Sequence, residues 1–138
     1  MFDHCLYFNT TALARLAERL WTEAFRRFDL TPSQAFMLRL ILNRPGLLQW
    51  EIAEALKISP PTTTRLLNAL KTKRLVERHA SPTDGRETKI YPTRAAKEIQ
   101  ASLNAASGEV TRTIKQTIGE EVFDEVVSKL RNIRATLG

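Results

Sequence analysis

The sequence predicts a mainly α-helical fold carrying one small β-hairpin, and three observations predict it. Apolar residues recur at steps of three and four through most of the chain, the period of a helix with one buried face. Helix-starting signals, Thr31-Pro32-Ser33-Gln34, Ser59-Pro60-Pro61-Thr62 and Thr93, precede three of these runs. Between the second and third lies SPTDGRETKIYPT (Ser81 to Thr93), with Asp84-Gly85 between two short strand-forming runs. Gly accepts positive φ without a Cβ clash, so Asp-Gly in this setting marks a hairpin turn. A two-stranded hairpin is marginal in water, so neighbouring helices must support it.

The first helix is expected over Leu13, Leu16, Ala17, Leu20, Trp21, Ala24, Phe25 and Phe28, a broad apolar face. In the second, Thr31 caps, Pro32 suits the first helical position and Gln34 reaches back as in a capping box. It runs through Phe36, Leu40 and Ile41 until Pro45-Gly46 ends it. A short third helix from about Gln49 buries Ile52, Ala53 and Leu56. The fourth is capped by Ser59, with Pro60 and Pro61 in its first turn, where a missing N–H costs little. Thr63, Leu66, Leu67 and Leu70 are its inward set. Leu75 to His79 and Glu87 to Tyr91 are the arms of the hairpin. Thr93 caps a long helix through Ile99, Leu103, Ala106 and Val110, spaced close to a heptad seam. Near Gly119 it yields to a last helix whose inward set is Val122, Phe123, Val126, Val127, Leu130, Ile133 and Leu137.

The 138 residues, 43% hydrophobic and 26% charged, suit one ordered globular domain. The net charge of +6 is concentrated: Ser59 to Arg94 carries eight Lys and Arg against three Asp and Glu. The outward side of the fourth helix shows Pro61, Thr62, Arg65, Asn68 and Ala69, flanked by Thr64, Lys71 and Lys73, and no acid occurs from Ser59 to Val76. A solvated helix face normally mixes charge signs with i,i+4 partners, so this face is expected to meet an anion. The single Cys5, the lack of a basic n-region before an apolar core, and the lack of an eighteen-residue apolar run point to a cytoplasmic protein with no membrane span. Two His, one Cys and scattered acids give no metal-ligand spacing, nucleophile–base arrangement or Gly-rich phosphate loop, so no catalytic residue, metal or cofactor is expected.

Two short helices joined by Lys57-Ile58-Ser59 and followed by a hairpin read as a winged helix-turn-helix. In that arrangement the second helix enters the major groove of DNA, where each base pair shows a distinct donor, acceptor and methyl pattern. Arg86, beyond the hairpin turn, has the reach and charge for the narrow minor groove.

From Leu30 to about Leu103 the chain also resembles the MarR (multiple antibiotic resistance regulator) family of bacterial transcription factors. The resemblance is carried by LTPSQAFMLRLI, IAEALKIS, PPTTTRLLNALKTKRLVER and DGRETKIYPT, the last similar to the family's Asp-x-Arg wing and Thr-capped helix. It implies a single domain over 1–138, with a DNA-binding lobe at 31–92 and dimerisation helices at 1–28 and 94–138. Its implied function is that of a homodimeric repressor that binds an imperfect DNA palindrome and responds to a small aromatic or phenolic effector. Residues expected at DNA are Ser59, Pro61, Thr62, Thr64, Arg65, Asn68, Lys71, Lys73, Arg74, Arg86 and Lys89, with Asp84 bracing the wing. Trp21, Phe25, Phe36 and Trp50 are candidates for an effector pocket, with Arg39 meeting a ligand carboxylate. The chain departs from the family in placing Arg74 and Ala96 where Gly is frequent, and Tyr91-Pro92 before the capping Thr. Two alternatives stand beside this reading. Peroxide-sensing members carry a reactive Cys near the start of the first helix, a role open to Cys5; and a winged helix can act only in protein–protein interaction.

Overall fold

The computed structural model describes residues 1–138 except Ser81, Asp84 and Arg86, on which the expected wing contacts of Asp84 and Arg86 fall; those two lie outside the described residues. The helices are α1 (Leu6–Phe25), α2 (Pro32–Asn43), α3 (Gln49–Leu56), α4 (Pro60–Thr72), α5 (Arg94–Ile118) and α6 (Glu120–Leu137), with strands β1 (Leu47–Leu48), β2 (Val76–Ala80) and β3 (Thr88–Pro92). The first helix stops earlier than its apolar spacing suggests: Arg26–Phe28 form a 3-10 turn that ends at Asp29 with φ of 55°. Among the described residues, no helix is long and apolar enough to cross a membrane.

Local chemistry starts and stops these elements. The Gln34 N–H donates to Thr31 Oγ1 and the Thr31 N–H to Gln34 Oε1, both at 3.2 Å, so two otherwise unpaired amides are satisfied reciprocally. At α3 the Leu48 N–H donates to the Glu51 carboxylate at 2.9 Å. Lys57, left-handed at φ 57°, ends α3 and lets the Ile58 N–H return to the Ala53 carbonyl, which completes the turn into α4.

The hairpin is larger than its sequence suggests. Leu47 and Leu48 pair antiparallel with Ile90 and Lys89, so the sheet has three strands in the order β1-β3-β2, with β3 central. The approach of β1 depends on Gly46, whose φ is +89° and where a Cβ would lie 3.1 Å from the Tyr91 hydroxyl. Its N–H donates to the Ile90 carbonyl at 2.8 Å.

One core joins the helices and sheet. Phe25, Met37, Leu38, Ile41, Ile52, Leu67, Leu70, Ile90 and Leu103 are essentially inaccessible to solvent. The α5 seam behaves as expected, with Leu103 and Ala106 buried and Ile99 packed against the core. The α6 set does not: Val122, Val126, Val127, Leu130, Ile133 and Leu137 are exposed, and Phe123 is only half-buried. Helix α6 packs along α5 and leaves the rest of its apolar face open, as α1 leaves Leu13, Leu16 and Leu20.

Candidate nucleic-acid interface and adjoining cavity

The N-terminus of α4 is held by Ser59, whose Oγ accepts from the Thr62 N–H at 3.3 Å and donates to Thr62 Oγ1 at 2.9 Å. Thr63, fully buried, donates its hydroxyl to the Ser59 carbonyl at 2.9 Å, so this polar group enters the core satisfied. Leu66, Leu67 and Leu70 fix the inward face. That leaves Pro61, Thr64, Arg65, Asn68 and Lys71 exposed, while Thr62 and Ala69 are half-buried. Among the described residues neither Arg65 nor Lys71 pairs with an acid.

Two flanking side chains that sequence reasoning missed reach this face. Gln49, the first residue of α3, donates from Nε2 to Thr64 Oγ1 at 2.7 Å. Arg78, exposed on β2, donates from Nη2 to Asn68 Oδ1 at 3.4 Å. Strand alternation gave no signal for Arg78, because it would set Arg78 on the face of the buried Val76, whereas every residue of β2 after Val76 is exposed. Nothing in the sequence around Gln49 marks its partner.

The other expected DNA residues fall in different settings. Lys73 is turned back onto Asp29, with its ammonium donating to the Asp29 carbonyl and lying 3.5 Å from the carboxylate. It is thereby engaged within the chain rather than free on the basic face. Arg74 is exposed at φ 60°, its carbonyl accepting from Thr93 Oγ1 at 2.8 Å. Lys89 is half-buried on β3.

The five residues expected to share an effector pocket are not brought together. Trp21 and Phe36 line one cavity of about 410 Å³ between α1, α2 and the α3–α4 turn. Phe25 is closed to ligands, fully buried edge-to-face against Phe36 with centroids 6.0 Å apart. Trp50, 63% exposed, lines a separate cleft toward Arg78 and Thr88. Arg39 stacks over Phe36 at 4.9 Å and donates to Asn104 Oδ1 at 2.7 Å and Ser107 Oγ at 3.1 Å. Trp21 Nε1–H donates to the same Ser107 hydroxyl at 3.0 Å, so one buried oxygen ties α1 and α2 to α5. Partial burial lowers the Arg39 guanidinium from its ordinary pKa by desolvation. Cys5 is exposed at the N-terminal boundary of α1.

The comparisons with known proteins agree with the fold. Residues 28–87 match the model of the MarR family. YybA, an HTH-type transcriptional regulator of Bacillus subtilis (strain 168), is 22% identical over 125 residues, covering 91% of this chain and 83% of its own. The transcriptional regulator HosA of Escherichia coli O111:H- is 26% identical over 107 residues, 75% of this chain and 79% of its own. Among solved structures, the transcriptional repressor CouR bound to a 23-mer DNA duplex superposes with a TM-score of 0.89 at 24% identity, covering 96% of this chain and 94% of that one.

Proposed function

We propose that the chain, whose residues 28–87 match the model of the MarR family, is a transcriptional regulator of that family and a homodimeric repressor that reads an imperfect palindrome in duplex DNA. The observation that carries the reading is the exposed, acid-free face of α4, framed by Gln49 on one side and the wing on the other. In the proposed complex α4 lies in the major groove with Arg65 and Asn68 toward base edges. Lys71 meets phosphate, and Arg86 reaches the minor groove from the wing. Ser59, Pro61, Thr62, Thr64, Arg74 and Lys89 belong to the same interface in this reading, with Asp84 bracing the wing. Two copies joined through α1, α5 and α6 present two such faces, with half-sites about 34 Å apart.

The finer proposal is that a small aromatic or phenolic effector enters the cavity beside Trp21 and Phe36 and changes the spacing of the two recognition helices. It can act only by binding one spacing better than the other; about 1.4 kcal/mol of difference shifts that equilibrium tenfold. Fragments selected from genomic DNA would supply the operator, and a salt titration on it tests the interface. The expected result is a steep loss of affinity with salt. Arg65→Ala should cost about 1–3 kcal/mol at the affected base, whereas Lys71→Ala should weaken all sequences alike and flatten the salt slope. Equal affinity of both variants and the parent protein at every salt concentration would refute the placement.

A further inference from the structure

The cavity beside Trp21 and Phe36 contains one ionisable side chain, Glu18, and its other lining is apolar apart from Ser33. Arg39 is not part of that lining; it borders a separate hollow with Asn43, Gln100 and Asn104 and spends its donors on Asn104 and Ser107. The Trp21 N–H is also engaged, by Ser107, so what Trp21 offers a ligand is its ring. Glu18 is exposed at the edge of this aromatic wall, and among the described residues no Lys or Arg forms an ion pair with it. Aromatic faces attract cations through their quadrupole, and a neighbouring carboxylate adds to that attraction.

We propose that this cavity selects a small aromatic cation over an aromatic carboxylate of the same size. The proposal rests on the effector reading above and reverses the charge expected when Arg39 was placed in the pocket. Two features of the site work the other way: the Arg39 guanidinium lies over the Phe36 ring at 4.9 Å, and Pro32 and Ser33 are at the N-terminus of α2, where the helix dipole favours anions. Arg39 occupies Phe36, not Trp21, and faces Asn104 and Ser107, so the Trp21 ring is the one left to a cation; the helix end is already largely answered, because Pro32 has no N–H and the Gln34 N–H is held by Thr31. A dipole equivalent to about half a charge, capped in this way, is outweighed by the full charge of Glu18.

The test reads binding to the free protein, independently of DNA. In a Trp50→Phe background Trp21 is the only tryptophan, and Trp50 lines a different cleft. Its fluorescence is titrated with benzyltriethylammonium, benzyl alcohol and phenylacetate. The expected result is that the cation binds about tenfold tighter than the carboxylate, a difference of about 1.4 kcal/mol. Glu18→Gln should remove the difference while leaving benzyl alcohol unchanged. Equal or tighter binding of phenylacetate, survival of the cation preference in Glu18→Gln, or no response to any of the three would overturn the proposal. Cation binding that leaves operator complexes intact would keep the ligand class and overturn the regulatory reading instead.

Discussion

Arg74 holds φ at 60°, a conformation that costs an L-residue about 1–2 kcal/mol because its Cβ crowds the backbone. The position is a bend between α4 and β2, and what it supplies to the fold is its carbonyl, which Thr93 Oγ1 needs. Gly supplies the same carbonyl without the steric cost, though it loses more conformational entropy on folding. Arg74→Gly is therefore expected to stabilise the protein by about 0.5–1 kcal/mol, read as a rise in the thermal midpoint. An unchanged or lower midpoint would mean that the arginine side chain makes a compensating contribution. The frequent glycine at this place in the family thus acquires a physical reason here: the backbone is left-handed.

The start of α5 shows how one side chain can couple elements. Thr93 accepts from the Ala96 N–H at 3.3 Å, donates its hydroxyl to Arg74, and donates its own N–H to the Leu75 carbonyl at 3.0 Å. Thr93→Val keeps the shape but removes the cap and the tie, and should cost about 1–2 kcal/mol in denaturant unfolding. A loss no greater than a few tenths would show that the cap is redundant. This cap, like those of α2 and α4, was legible in the sequence because its partners are three residues away. Strand β1 was not, because two leucines between a Pro-Gly pair and a helix carry no period, and their partners lie in another element. The candidate site divides in the same way. The outward face of α4 could be read from helical spacing, whereas the Asn68 partner of Arg78 and the Asp29 partner of Lys73 are products of tertiary packing. Spacing also could not distinguish Phe25, which fills the core, from Phe36, which borders the cavity, since both sit on apolar helix faces.

At the scale of the molecule, the exposed leucines and valines of α1 and α6 are more apolar surface than a monomer of this size comfortably leaves in water. Their burial between two copies gives the proposed dimer its driving force, and Leu130→Asp, at the middle of the α6 stripe, should break it. Sedimentation is expected to report a dimer for the parent protein and a monomer for the variant, with operator affinity falling because the two half-sites are no longer bound together. A monomeric parent protein would refute the dimer. The pairing of β1 with β3 has a consequence for how this chain reaches its shape. The β2–β3 hairpin can form early from neighbouring residues, but Leu47 meets Ile90 only after about forty intervening residues have been gathered, including both helices of the reading lobe. Those two residue pairs are expected to close the lobe as a clasp closes a loop of cord, forming late and opening first. The amide of Gly46 at the clasp is the place where that order of events would be seen in hydrogen exchange.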